Sequence, residues 1–234
     1  MFENEKNQND IVSTELINSY DIDCIFNDKP INRIKTKPEV EKKSDKLDKL
    51  KRKLENIENC ELKSYSNRMV FSDGNHESPI MIIGEGPGQK EDEIGKPFVG
   101  DAGQLLNKMF KAINIKRESI YITNVVNYRP PNNRKPEPAE INRYSEFLAE
   151  HISIIDPKIL ILMGTTAMEA LLGFKIKISK ERGAWKEVII NNKTYLVMIT
   201  FHPAYLLRQA DQKKHSWADL KEIRKKIDTL KLKI

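Results

Sequence analysis

Three polar side chains stand at or near the ends of apolar runs that read as buried strands. Glu85 follows Ile80–Ile83, Asn124 lies inside Ile120–Val126, and His202 follows Tyr195–Thr200. In an open α/β sheet ligands collect beyond the carboxyl ends of the strands, so a carboxylate, an amide and an imidazole can converge there on one bound group. Each alone has a structural explanation: Glu85 can cap a turn, Asn124 can satisfy buried backbone, and His202 can be a hydrogen-bonded core histidine. Convergence is what favours chemistry. Between the first strand and the residues after it, Gly84, Gly86 and Gly88 permit backbone angles that other residues resist, and Pro87 fixes one dihedral. Glu85 is thereby held just past the strand end, and Pro97, Phe98, Val99 and Gly100 return the chain toward apolar character.

The glycine turn does not satisfy the fingerprints it suggests. A dinucleotide-binding GxGxxG starting at Gly84 requires glycine where Gln89 stands, and Gly-Lys followed by Ser or Thr occurs nowhere. His76, His151, His202 and His215 show no close ligand spacing, and Glu91, Asp92 and Glu93 are adjacent, which reads as a solvated loop.

The elements that must position these residues alternate between strand and helix, the pattern of a parallel sheet covered on both faces. Apolar positions predict a helix over 39–58, strands at 80–83, 120–126 and 158–163, and helices around Leu105–Ile113, Ala139–Ile155 and Gly164–Gly173. Arg68–Phe71 reads as a short strand and Ser72–Asn75 as a turn. The segments Lys186–Ile190 and Tyr195–Thr200 flank Asn191, Asn192 and Lys193 as a hairpin, and a basic amphipathic helix closes the chain. The proline-rich stretch from Arg129 to Pro138 reads as an exposed loop.

The 234 residues suffice for one good core, with residues 1–38, rich in Asn, Asp, Lys and Ser, expected as a poorly ordered arm before a domain over 39–234. A net charge of +6 fits a polyanionic partner such as nucleic acid. No apolar run approaches the ~20 residues of a membrane span, and the start lacks the basic-then-apolar pattern of a signal peptide. With two cysteines, Cys24 and Cys60, no disulfide framework is available, and a reducing cytoplasm is expected.

The motifs GEGPGQKEDEIGKPFVGDAGQLL, ITNVVNYRPPNNRKP and FHPAYLLR, in this order, resemble those of the family 4 uracil-DNA glycosylases. The likeness runs from about Cys60 to the final helix and includes the loop Ile178–Gly183. It implies a three-layer α/β/α domain with a central, mainly parallel four-stranded sheet, acting as a monomer on uracil-containing DNA. The implied reaction flips uracil out of the duplex and hydrolyses its N-glycosidic bond, the first step of base-excision repair. Glu85 would position water and stabilise the cationic sugar, while His202 would donate to uracil O2. Phe98 and Asn124, with Gly84 and Gly86, would form the uracil pocket; Tyr205, Leu206, Leu207 and Arg208 would enter the duplex, with Arg129, Arg134 and Arg182 as candidate phosphate contacts. Leu206 and Leu207 are equally explained by packing at a helix start. A non-catalytic relic of this fold and a nucleotide-binding α/β protein are the alternatives.

Members of that family usually carry a [4Fe–4S] cluster on four cysteines, and only Cys60 stands at such a position here. Ile57, Tyr128 and Tyr144 occupy the other three. The resemblance therefore leads to the expectation that the cluster is lost and that no cofactor is needed.

Overall fold

Strands β2 (Ile80–Gly84), β3 (Tyr121–Asn124), β4 (Ile159–Met163) and β6 (Lys193–Thr200) run parallel and form the centre of the sheet. The computed structural model describes residues 41–173 and 177–234, which leaves the expected arm at 1–38 outside the described residues. Two edge strands, β1 (Asp73–Gly74) and β5 (Trp185–Ile190), pair antiparallel with β3 and β6 respectively. Among the described residues the sheet has six strands in the order β1-β3-β2-β4-β6-β5, where the resemblance implied four. The parallel centre is those four; β5 is the first strand of the expected hairpin, and β1 is a two-residue pairing too short to read as sheet.

Every residue of β2 and β4 is buried, because helices cover both faces and leave no solvated side. The two-residue period of the strands divides their side chains between two cores. Met81, Ile83, Leu160 and Leu162 face the helices α1 (Lys43–Glu55), α5 (Pro138–Ile155) and α6 (Thr165–Leu172). Ile80, Ile82, Ile159 and Ile161 face α4 (Asp101–Lys111), α8 (Pro203–Arg208) and α9 (Lys213–Thr229). Three shorter elements complete the set: α2 (Glu61–Tyr65), α3 (Gln89–Ile94) and α7 (Ile178–Glu181). Among the described residues no helix is long and apolar enough to cross a membrane.

Local chemistry accounts for some of the boundaries. At the start of α5 the Glu137 and Glu140 side chains form a reciprocal capping box, with Pro138 in the first turn where its missing N–H costs nothing. The β5–β6 hairpin turns through Asn191 and Asn192, both at positive φ, as expected for a tight asparagine turn. The segment Arg68–Phe71 does not form the expected strand. Its hydrogen bonds go partly to side chains instead: Thr123 Oγ1 donates to the Phe71 carbonyl (2.7 Å) and Asn127 Nδ2 to that of Val70 (3.1 Å). The ladder forms two residues later, at Asp73–Gly74, where the sequence suggested a turn.

On the face covered by α5, the Tyr121 hydroxyl lies 2.8 Å from His151 Nε2, and the His151 ring stacks on Phe71 with centroids 4.6 Å apart. Burial pushes the His151 pKa down to about 3, so the folded protein holds this imidazole neutral. In the unfolded chain it titrates near the ordinary value of ~6.5. Stability from this group is thus complete above that value and falls as pH drops toward 3, at ~1.4 kcal/mol per pH unit. His151→Gln, which can still accept from Tyr121, is expected to flatten the pH dependence of urea-unfolding free energy between pH 6 and 4 by about one proton.

Candidate active site

The carboxyl ends of β2, β3 and β6 open into a cleft of about 970 Å³, lined among others by Glu85, Phe98, Asn124, Gly164 and His202. The structure therefore brings together the groups that the strand ends had suggested. Gly86, Tyr205 and Arg208 also line it. The turn glycines are there for space more than for dihedral freedom, because Gly84, Gly86 and Gly88 do not adopt positive φ. A Cβ on Gly84 would lie 2.4 Å from Asn124 Oδ1 and 2.6 Å from the Phe98 ring, so any other residue would displace both.

Phe98 has a left-handed backbone, φ 52°, which is uncommon for a bulky residue and must be held by its surroundings. Arg117 supplies one clamp: Nη1 donates to the Phe98 carbonyl (3.0 Å) and Nη2 to that of Pro97 (2.7 Å), while Nε bonds Asp73 (2.9 Å). Glu91 supplies the other, its Oε1 accepting from the amides of Val99 (2.8 Å) and Gly100 (2.7 Å). Gly103 completes the seat, since a Cβ there would fall 1.9 Å from the Phe98 carbonyl oxygen. Glu91 and Asp92 are 8% and 1% exposed, which corrects their reading as a solvated loop. Asp92 ties α3 to the preceding segment by accepting from the amide and side chain of Asn67. Adjacent acids hid this in the sequence, because nothing in their spacing reveals that the helix turns two of the three inward.

His202 is half-buried, and its ring lies 5.4 Å from that of Phe98 at 29°. The Ala204 amide donates to Nδ1 (3.2 Å), which places the proton of the neutral ring on Nε2. Burial, aided by the positive charge of Arg208, lowers the His202 pKa to about 4. Asn124 is buried at the end of β3, and among the described residues its amide makes no side-chain hydrogen bond. Glu85 accepts a short hydrogen bond from Thr166 Oγ1, a partner that the sequence did not disclose.

A match to the Uracil DNA glycosylase superfamily covers residues 71–221. Type-4 uracil-DNA glycosylases from Thermotoga maritima and Sulfurisphaera tokodaii are similar over long stretches. The first is 43% identical over 64% of this chain and 77% of its own length, and the second 39% over 77% and 84%. The chain belongs to the uracil-DNA glycosylase superfamily.

Within this superfamily member, several expected DNA contacts are engaged elsewhere. Leu206 is 1% exposed and packs in the core below α8, whereas Leu207 is 48% exposed. Arg182 forms an ion pair with buried Asp219, donates to the His215 carbonyl and lies over the Phe201 ring, so it braces the fold. Arg129 donates to Asn133 and stands 4.0 Å from Asp92, and Arg134 binds Glu140 in bidentate fashion. Arg208 is exposed. Both Arg208, on the surface of α8, and Arg134 line the cleft.

The expectation of a chain that has lost its cluster is withdrawn. The glycosylases it matches are named type-4, the class for which the resemblance implied a [4Fe–4S] cluster. Cys60 is the one cysteine among the described residues; it is buried, and its sulfur lies 3.3 Å from the Tyr144 hydroxyl. No group of three or more His, Cys, Asp or Glu able to hold a metal occurs among them. These residues by themselves do not fit a four-thiolate cluster, and no catalytic step is assigned to one.

Arg117→Ala removes both carbonyl clamps and leaves Asp73 with only the Lys96 ammonium, 3.3 Å away. It is expected to cost about 2 kcal/mol in urea unfolding and to speed amide exchange at Val99 and Gly100.

Proposed function

We propose that the protein hydrolyses the N-glycosidic bond between uracil and deoxyribose in DNA, releasing free uracil and leaving an abasic site for base-excision repair. The observation that carries this reading is the meeting of Glu85, Phe98, Asn124 and His202 in one cleft of a member of this superfamily.

Each group has a task suited to its surroundings. A base reaches such a cleft only by leaving the helical stack, at a cost of a few kcal/mol. Phe98, fixed by its backbone clamps, provides a rigid ring for the flipped base. The Asn124 side chain can accept from uracil N3–H while donating to O4, whereas cytosine presents a lone pair and an amino group at those positions. As the bond between C1′ and N1 breaks, its electron pair passes to the base and charge develops on O2. The Nε2–H of His202 donates to that oxygen as a neutral imidazole. One oxygen of Glu85 is held by Thr166, and the carboxylate orients a water and offsets the positive charge of the sugar. The water oxygen bonds C1′, and the proton it gives up ends, by way of solvent, on the uracil anion, so that free uracil and an abasic hydroxyl are the products.

Exposed Leu207, with Tyr205 and Arg208 beside it, would enter the duplex and occupy the vacated space. In this reading the enzyme works as a monomer, because one chain supplies every group just assigned. A buried free thiol, Cys60, supports a reducing, cytoplasmic setting.

Uracil release from a uracil-containing oligonucleotide tests the proposal. Wild type is expected to cleave, and His202→Ala and Glu85→Ala each to lose about 10²- to 10³-fold in rate. Binding of that DNA without cleavage by the wild type would show a non-catalytic relic; binding of mononucleotides in preference to DNA would favour the nucleotide-binding alternative. The His202 environment adds a separate expectation. With its pKa near 4, the folded ring stays neutral as pH falls from 8 to 5 and charges only below that range. Nitrogen NMR of the histidine rings should show the Nε2–H tautomer across that interval, and a protonated ring at pH 7 would contradict the assigned role.

A further inference from the structure

The turn after β4 does two things for the cleft. Gly164, with φ 93°, hydrogen-bonds through its amide to the Thr200 carbonyl (2.9 Å) and lies against His202, where an added Cβ would come within 3.0 Å of that residue's Cβ. Two residues later Thr166, in the first turn of α6, turns its hydroxyl to Glu85 Oε2. Thr166 has no exposed surface, so its hydroxyl cannot turn to solvent. Among the described residues the hydroxyl has no other partner, and the first-turn position leaves it free of any capping duty.

We infer that Thr166 is the positioning residue of the water-orienting carboxylate: by bonding Oε2 it fixes the rotation of the Glu85 carboxylate and leaves Oε1 to receive the attacking water. This rests on the role proposed for Glu85. The chemistry requires some such partner. A glutamate side chain has three rotatable bonds, and a half-buried one with no fixed contact distributes its oxygens over many positions. Attack needs the water in line with the breaking bond, so a carboxylate that wanders loses rate even where substrate binding is unaffected. A hydroxyl suits the task better than a cation, because it orients the carboxylate without cancelling the negative charge that faces the developing sugar cation. Backbone contacts hold the Glu85 main chain, since its carbonyl accepts from the Val126 amide (3.3 Å), but they do not reach its carboxylate.

A double-mutant cycle under single-turnover conditions on uracil-containing DNA tests this. Thr166→Val is expected to lower the cleavage rate about tenfold with DNA affinity unchanged, and Thr166→Ser to retain near wild-type rate. In a Glu85→Ala background Thr166→Val should have no further effect, because Thr166 acts only through that carboxylate. Should the valine variant unfold, Thr166→Ser against Thr166→Ala, which share the lost methyl group, gives the same comparison. Equal rate losses from Thr166→Val in both backgrounds, or equal rates for the serine and alanine variants, would overturn the inference alone. Full activity in Glu85→Ala would instead overturn the assignment of Glu85, and the inference with it.

Discussion

The shared polarity of four parallel strands is the constraint on which the rest of the molecule depends. Because β2, β3, β4 and β6 all run the same way, their carboxyl ends emerge along one edge of the sheet, and Glu85, Asn124, the Gly164 turn and His202 emerge with them. Residues far apart in the chain become neighbours without any direct bond between them. The two apolar cores, one on each face, hold the strand ends in register, so burial of Ile80–Ile83 and Ile159–Met163 contributes to catalysis through geometry. Polar groups then make the local adjustments that burial cannot.

Those adjustments are made by charged residues that never meet solvent freely. Glu91, Asp92, Arg117 and Asp219 are largely enclosed, and each is matched to donors or acceptors close by. A buried charge without partners would cost several kcal/mol, so these groups are tolerable only because the backbone and neighbouring side chains complete them. Asp219 is instructive: burial raises its pKa, while bonds from Thr200 and Arg182 pull the other way. The same pair ties α9 and the loop after α7 to the end of β6, immediately before His202.

The parallel centre of the fold was legible because a strand buried on both faces must be apolar throughout, and Ile80–Ile83 and Ile159–Met163 are. The strand-end residues Glu85, Asn124 and His202 were legible for the same reason, each interrupting or following such a run. The β1 edge was not. Asp73–Gly74 has no apolar pattern, and its pairing depends on where β3 already lies. Arg117, Glu91 and Thr166 were hidden in another way, because their partners are 19, 8 and 81 residues distant and no local spacing announces them. Leu206 and Leu207 show the limit most plainly: identical neighbours in sequence, one belongs to the core and the other to the surface. The basic side chains followed suit, since a guanidinium reads the same on paper whether it awaits a phosphate or already holds a carboxylate.

The left-handed turn at Phe98 has a mechanical consequence. Its backbone is gripped from both sides, by Arg117 on the Pro97 and Phe98 carbonyls and by Glu91 on the Val99 and Gly100 amides, against the bare backbone of Gly103. Arg117 and Gly103 do not line the cleft, yet a substitution at either acts on the ring that does. The stiffness of the aromatic wall is thus set from outside the pocket it bounds.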